Sequence, residues 1–303
     1  MSSAIACAQI AARGIASISV MVNGNPELAN DLKNKIDKKW DGFQNQSALA
    51  DFESLLNVWS IPIGDKSNAW NQYIHQIWSG EEIVFFVDGY VQLLPDAIEV
   101  LGTVVAADVR ALGGSGMPSM GRSAARSRQA LSSESGLHGN FCCIKGTVLR
   151  RMVERQINLP IGLYRGDSFF GAILCYDLDP QSNIWEDFRI AVVSTASWHI
   201  VAKHWWRWGD IRDYFKRLLR QVRGDLEKRA LRESLTFRRI RPELLPANAR
   251  ELVLDWTLRC PDDWASASLG RPMALVAFWK IQRDEPVSGI GLKPRLVFGK
   301  QLA

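Results

Sequence analysis

The sequence predicts an α/β protein with a Rossmann-type, mainly parallel sheet, followed by a basic helical region. Over the first two-thirds, short apolar runs bounded by turn residues alternate with helical stretches, the pattern of strands joined by crossover helices. Polar clusters follow three of those runs, where loops gather in such folds. From residue 198 onward the pattern turns helical, and residues 203–250 are crowded with Arg and Lys.

Residues 3–13 are a plausible helix, and residues 16–22 (ASISVMV) a buried strand stopped by Asn23-Gly24-Asn25-Pro26, a strong turn signal. Residues 27–39 fit an exposed helix and residues 56–63 a second strand. A helix over residues 67–78 has Ser67 or Asn68 near its start, where an N-cap belongs. Residues 83–87 (IVFFV) form a strand apolar on both faces that ends at Asp88. Pro95 opens a helix over residues 95–101, and residues 103–112 resemble another strand. Residues 113–136, rich in Gly, Ser, Pro and Arg and without periodicity, read as a long functional loop, a mobile lid. Cys142-Cys143 falls in an apolar strand and is assigned to the core, and residues 211–231 form a strongly amphipathic basic helix. The division expected is residues 1–200 for a catalytic domain and 201–303 for a helical appendage.

A chain of 303 residues buries a large core, and 47% hydrophobic with 23% charged residues is the balance of an ordinary globular protein. The longest apolar runs, residues 83–87 and 273–279, are far shorter than the roughly 20 residues of a membrane span. The first residues lack a signal-peptide pattern. Five cysteines without paired spacing argue against a zinc site or disulfide framework and for a cytoplasmic protein. The net charge of +5 is concentrated in residues 203–250, which suits a diphosphate or, for a protein peripheral on the inner membrane face, an anionic lipid surface better than nucleic acid.

The polar clusters are Asn23-Gly24, Gly64-Asp65-Lys66-Ser67-Asn68 and Asp88-Gly89-Tyr90. The segment Gly64-x-Lys66-x-x-Ala69-x-Asn71, then an apolar strand, then Asp88-Gly89-Tyr90 with Pro95-Asp96-Ala97 downstream, resembles the donor-binding core of the family 2 glycosyltransferases. Those enzymes carry Gly-Lys-x-x-Ala-x-Asn and a strand ending in Asp-x-Asp. His138-Gly139-Asn140-Phe141 resembles the family's acceptor-side Gly-Gly-Asn-Phe region, and Arg165-Gly166-Asp167-Ser168 its Glu-Asp motif. Arg217-x-x-Arg220-Gln221-x-Arg223-Gly224 is similar to the Gln/Arg-rich segment that closes the site. The likeness runs from about residue 16 to residue 227.

The resemblance implies a GT-A-type, inverting enzyme that moves a sugar from a nucleotide-sugar donor to a hydroxyl of a glycan or lipid-linked acceptor. Asp167 would then be the catalytic base. Asn23, Gly24, Lys66, Asn68, Asn71, Asp88, Gly89, Tyr90, His138, Gly139, Asn140, Arg220 and Arg223 would hold the donor, with cations on its diphosphate. Asp88 would hold a divalent metal, Mg²⁺ or Mn²⁺, or the ribose of the donor. Tyr90 stands where the family has its second Asp, so such a metal loses a hard oxygen ligand. The family's opening strand has no counterpart, and the chain is expected to begin at the helix after it. Two rivals keep the same layout: a non-catalytic homologue that binds a sugar nucleotide or glycan, and a sugar-phosphate nucleotidyltransferase, whose Gly-rich Arg-containing loop is not found. Gly113-Gly114-Ser115-Gly116 lacks the Gly-Lys-Ser/Thr ending of a phosphate loop, and His199 and His204 are five apart, the wrong spacing for two ligands on one helix face.

Overall fold

The computed structural model describes residues 17–40, 55–119, 136–200, 208–284 and 291–299; the helix expected at residues 3–13 lies outside them. In chain order the elements are β1 (Ile18–Asn23), α1 (Pro26–Trp40), β2 (Leu56–Ile61), α2 (Lys66–Gln72) with a π-turn (Tyr73–Ile77), β3 (Ile83–Val87), β4 (Val91–Leu93), α3 (Ala97–Ala107) and β5 (Gly113–Pro118). Then come β6 (Phe141–Lys145), α4 (Gly146–Glu154), α5 (Gly166–Cys175), β7 (Ile190–Ile200), α6 (Trp208–Arg232), α7 (Ala249–Arg259), α8 (Pro261–Ser268), α9 (Pro272–Arg283) and β8 (Arg295–Phe298).

The strands form two sheets, ordered β1-β2-β8 and β3-β6-β5-β7-β4. They are mixed where a mainly parallel sheet was expected: among the described residues, two of the six strand pairings, β1–β2 and β5–β7, are parallel. Short connections are the reason. Parallel neighbours need long crossovers, whereas only Asp88, Gly89 and Tyr90 separate β3 from β4. Those two strands are the opposite edges of the second sheet. Three residues reach barely 10 Å, about 3.3 Å each, so the sheet coils until both edges meet at the Asp88 turn. A register shift between Gly116 and Met117, where the partner jumps from Val193 to Ser197, supplies part of the bend.

Two apolar layers flank the second sheet. On one face Phe86 meets Trp70 (ring centroids 4.7 Å) and Phe170 (6.4 Å), with Leu149, Phe169 and Ile173 in the same core. On the other, α3 lays Ala97, Leu101 and Val105 against Phe141, Cys143 and Val193. Cys142 and Cys143 are both fully buried and face opposite layers, as alternation along β6 requires. Leu226, Ala230, Val253, Trp256 and Ile281, from α6, α7 and α9, belong to the first of these cores, and β8 pairs with β2. No helix among the described residues is long and apolar enough to cross a membrane.

Three expectations are corrected. Residues 103–112 are not a strand: α3 runs to Ala107, because Ala97, Leu101 and Val105 recur at helical spacing on its buried face. Residues 113–118, expected to open a lid, are the fully buried strand β5 between β6 and β7. Residues 120–135 lie outside the described residues. The glycines of β5 hid it from any hydrophobic pattern, yet they are what lets α3 approach: a Cβ on Gly114 would stand 2.5 Å from Val105 Cγ2 and 3.1 Å from Leu101 Cδ1. Trp198 and His199 do not begin the helical region; they end β7, opposite Leu93 and Gln92 of β4.

Gly114→Ala should therefore lower unfolding free energy by about 1–3 kcal/mol, the scale of overpacking a tight interior. Gly89→Ala, where a Cβ would meet nothing within 4 Å, should leave it nearly unchanged in the same urea titration.

Candidate functional site

The ends of β2 and β3, the start of β6 and the start of α5 converge on one polar cluster. Val87 of β3 pairs with Phe141 of β6, so the residues just beyond, Asp88 and Asn140, are neighbours, and Asp88 N–H donates to the Asn140 carbonyl (3.0 Å). From β2 the chain turns through Gly64 and Asp65 into α2. Asp65 is the N-cap: its backbone is extended and its Oδ1 accepts from Asn68 N–H at 2.7 Å. That job was expected of Ser67 or Asn68.

Lys66, in the first turn of α2, reaches across the cluster. Its Nζ donates to Asp88 Oδ1 (2.6 Å) and to the Gly139 carbonyl (2.8 Å), and lies 5.3 Å from the centre of the Trp70 ring. Asp88 Oδ2 accepts from the Tyr90 hydroxyl (2.9 Å), which also lies 3.1 Å from Asn140 Oδ1. Burial and then the Asp88 carboxylate push the Tyr90 hydroxyl above the usual phenol range; its ring is exposed, but the hydroxyl end stays protonated and donates.

Gly139 N–H donates to Asp167 Oδ2 (2.8 Å), and Asp167 Oδ1 accepts from Ser168 N–H (2.9 Å). A Cβ on Gly139 would stand 2.8 Å from both Asp167 Oδ2 and Lys66 Nζ, so only glycine lets both charged groups close on this turn. His138 packs against Trp198 with the rings tilted (centroids 5.0 Å), and its Nδ1 faces Asn140 N–H (3.4 Å). Burial lowers the His138 pKa; Lys66 adds to that, while Asp167 and Asp88 oppose it.

The structure thus brings together Lys66, Asp88, Tyr90, His138, Gly139, Asn140 and Asp167. Gly89 is the exposed middle residue of the Asp88 turn. Asn23 ends β1, and Gly24, at φ +64°, presses on Gly64, where a Cβ would come within 2.6 Å of the Gly64 Cα. Asn68 is buried, and its Nδ2 has no partner among the described residues.

Two expected donor contacts are engaged elsewhere. Asn71 is a rivet: its Nδ2 donates to the Leu159 carbonyl and its Oδ1 accepts from Leu159 N–H, both at 2.8 Å. Arg223 bonds Glu227 Oε1 (2.8 Å), Asp284 Oδ2 (2.6 Å) and the Gly162 carbonyl (2.7 Å), so its guanidinium is engaged by the fold. Arg220 is an exposed residue of α6, and Arg217 lies in the part of α6 whose side chains are not described.

Sequence reasoning missed the supports. Ser115, fully buried on β5, accepts from His138 N–H (2.9 Å) and donates to the Gly136 carbonyl (2.8 Å). Glu227 accepts from Tyr164 N–H (2.8 Å) while paired with Arg223. Trp70 four residues after Lys66, and Glu227 four after Arg223, were signals at helical spacing. Ser115 gave none.

The divalent metal implied by the resemblance does not fit these residues. Asp88 is the one carboxylate at the expected position, Tyr90 stands where a second would be, and Oδ1 already holds an ammonium whose charge would repel a dication.

The chain is an α/β protein with a charged cluster where the edges of its coiled sheet meet. No family model matches the chain, and no curated protein sequence does. Among solved structures, the chain is similar to a mannosyltransferase, PcManGT from Pyrobaculum calidifontis in complex with GDP-Man and Mn²⁺. The identity is 14%, over 95% of this chain and 84% of that one, with a TM-score of 0.46. A likeness that distant carries nothing about chemistry.

Two outcomes test this geometry. Arg223→Leu strands the Glu227 carboxylate, 1% exposed, and should lower stability by about 3 kcal/mol or more in chemical denaturation. Because the His138 pKa lies below its ordinary 6.5, the unfolded chain binds the proton first, so this residue's contribution is complete above that value and is lost as pH falls through the folded pKa. The difference in unfolding free energy between wild type and His138→Gln should shrink below that pH.

Proposed function

We propose that the cluster is the active site of an inverting, nucleotide-sugar-dependent glycosyltransferase of GT-A type, acting on a glycan or lipid-linked hydroxyl. The observation that carries this is Gly139. Its carbonyl holds the Lys66 ammonium and its N–H holds the Asp167 carboxylate, which sets a cation and a carboxylate on either side of one turn.

Transfer with inversion needs that pair. A base must take the proton of the attacking hydroxyl, and positive charge must stabilise the departing diphosphate. Asp167 accepts one N–H at each oxygen, which leaves lone pairs for the acceptor's proton, and its place in the first turn of the ten-residue α5 favours the anion. In the reaction the acceptor hydroxyl gives its proton to Asp167 as its oxygen bonds to the anomeric carbon. The bond from that carbon to the diphosphate oxygen breaks on the opposite face, and its electron pair leaves with the diphosphate. Lys66 lies beside Asp88 to meet that charge, and Tyr90 fixes the Asp88 carboxylate.

Asp167→Asn keeps the shape but turns one accepting oxygen into an NH2 that faces a backbone N–H, so stability should fall by about 1–3 kcal/mol, which thermal melts will separate from the effect on turnover. Turnover with the nucleotide sugar found active in a donor panel should fall roughly 10²-fold or more, the scale for a positioned base. Near-wild-type transfer by Asp167→Asn would remove Asp167 as the base. Binding of a nucleotide sugar without transfer to any acceptor would favour a non-catalytic homologue.

A further inference from the structure

We infer that this protein meets the diphosphate charge of its donor with the Lys66 ammonium in place of a divalent cation, Lys66 and Tyr90 each bonding one oxygen of the Asp88 carboxylate that a metal would approach. The inference rests on the nucleotide-sugar reading above and specifies how that site handles charge.

A hard cation at Asp88 would need further oxygen ligands beside that carboxylate and no competing positive charge on it. Oδ1 instead receives Lys66 at 2.6 Å, and Oδ2 receives Tyr90 at 2.9 Å. Tyr90 stands where a second carboxylate would complete a metal site, but it points a hydroxyl proton at Asp88. A protonated phenol is a donor there, not a ligand. A dication arriving at Asp88 would also meet the ammonium, a like charge, in a partly desolvated cluster where charge repulsion is weakly screened.

The same contacts equip Lys66 for the substitution. An ammonium has three protons. Asp88 and Gly139 take two of them, and with the side chain 37% exposed the third is open to an oxygen of an incoming diphosphate. The ammonium is held from two sides, with the Trp70 ring at 5.3 Å, so it is placed before the ligand arrives and binding costs little reordering. Asp88 accordingly serves as the positioning residue of Lys66.

The test is calorimetric titration of the full chain with UDP, GDP, ADP, CDP and dTDP, each in EDTA and in millimolar Mn²⁺. The expected result is that the preferred nucleoside diphosphate binds in EDTA with an affinity within about threefold of that in Mn²⁺. Lys66→Met should weaken binding in EDTA roughly 10- to 100-fold, the loss of a charge-assisted contact, with Lys66→Arg recovering part of it. Tyr90→Asp, which supplies a second carboxylate, should make binding depend on Mn²⁺. Melting temperatures check that each variant is folded, and should Lys66→Met not fold, the wild-type and Tyr90→Asp titrations decide alone. Binding by the wild type only in Mn²⁺ overturns the inference and leaves the glycosyltransferase reading standing. No binding of any nucleotide in either medium overturns both.

Discussion

The contact on which the rest of the site depends is the one between the Lys66 ammonium, the Asp88 carboxylate and the Gly139 carbonyl. It ties the start of α2, the end of β3 and the turn before β6 to a single point, three segments that are remote in sequence. Charge-assisted bonds of this length are worth about twice a neutral one, and they fix direction as well as distance. Gly139 extends the link, because its N–H passes the constraint on to Asp167. A side chain at that position would separate the two charged groups.

The scaffold beneath carries its own ties, concentrated on the segment before α5. Asn71 pins Leu159 at both backbone groups, Asp65 accepts from Gly162 N–H (3.1 Å), and Arg223 with Glu227 clamps Gly162 and Tyr164 to α6. Residues of α2 and α6 thus hold the loop that delivers Asp167. Several polar residues that a motif assigns to the ligand serve the backbone here, since buried carbonyls and N–H groups left without partners are costly. The basic character of α6 is partly spent the same way, with Arg223 and Arg229 each in an ion pair with an acidic residue of the protein.

Coiling of the second sheet links the fold to the site. Because β3 and β4 are opposite edges joined by three residues, Asp88 stands where the edges close, next to the Asn140 turn. The bend depends on β5, whose glycines let α3 sit close on one face and whose register shift redirects β7 toward β4. A segment without a hydrophobic pattern is the central element of the layer that shapes the site.

The sequence by itself determined the strands whose apolar runs are uninterrupted, such as residues 83–87, and the helices with clear periodicity, because burial writes itself into side-chain spacing. It also marked Lys66, Asp88, Asn140 and Asp167 as chemically notable, since charged and amide groups after apolar strands stand out locally. It could not place β5, because glycine buries no side chain, nor the end of α3, whose β-branched residues mimic a strand. It could not tell Asn71, which holds the backbone of Leu159, and Arg223, which pairs with Glu227 and Asp284, from Lys66, which reaches Asp88. Only the tertiary structure decided that Lys66 and Tyr90 both close on Asp88, because that follows from coiling the sheet until residues 66, 90 and 139 meet, a long-range geometry that no local pattern encodes.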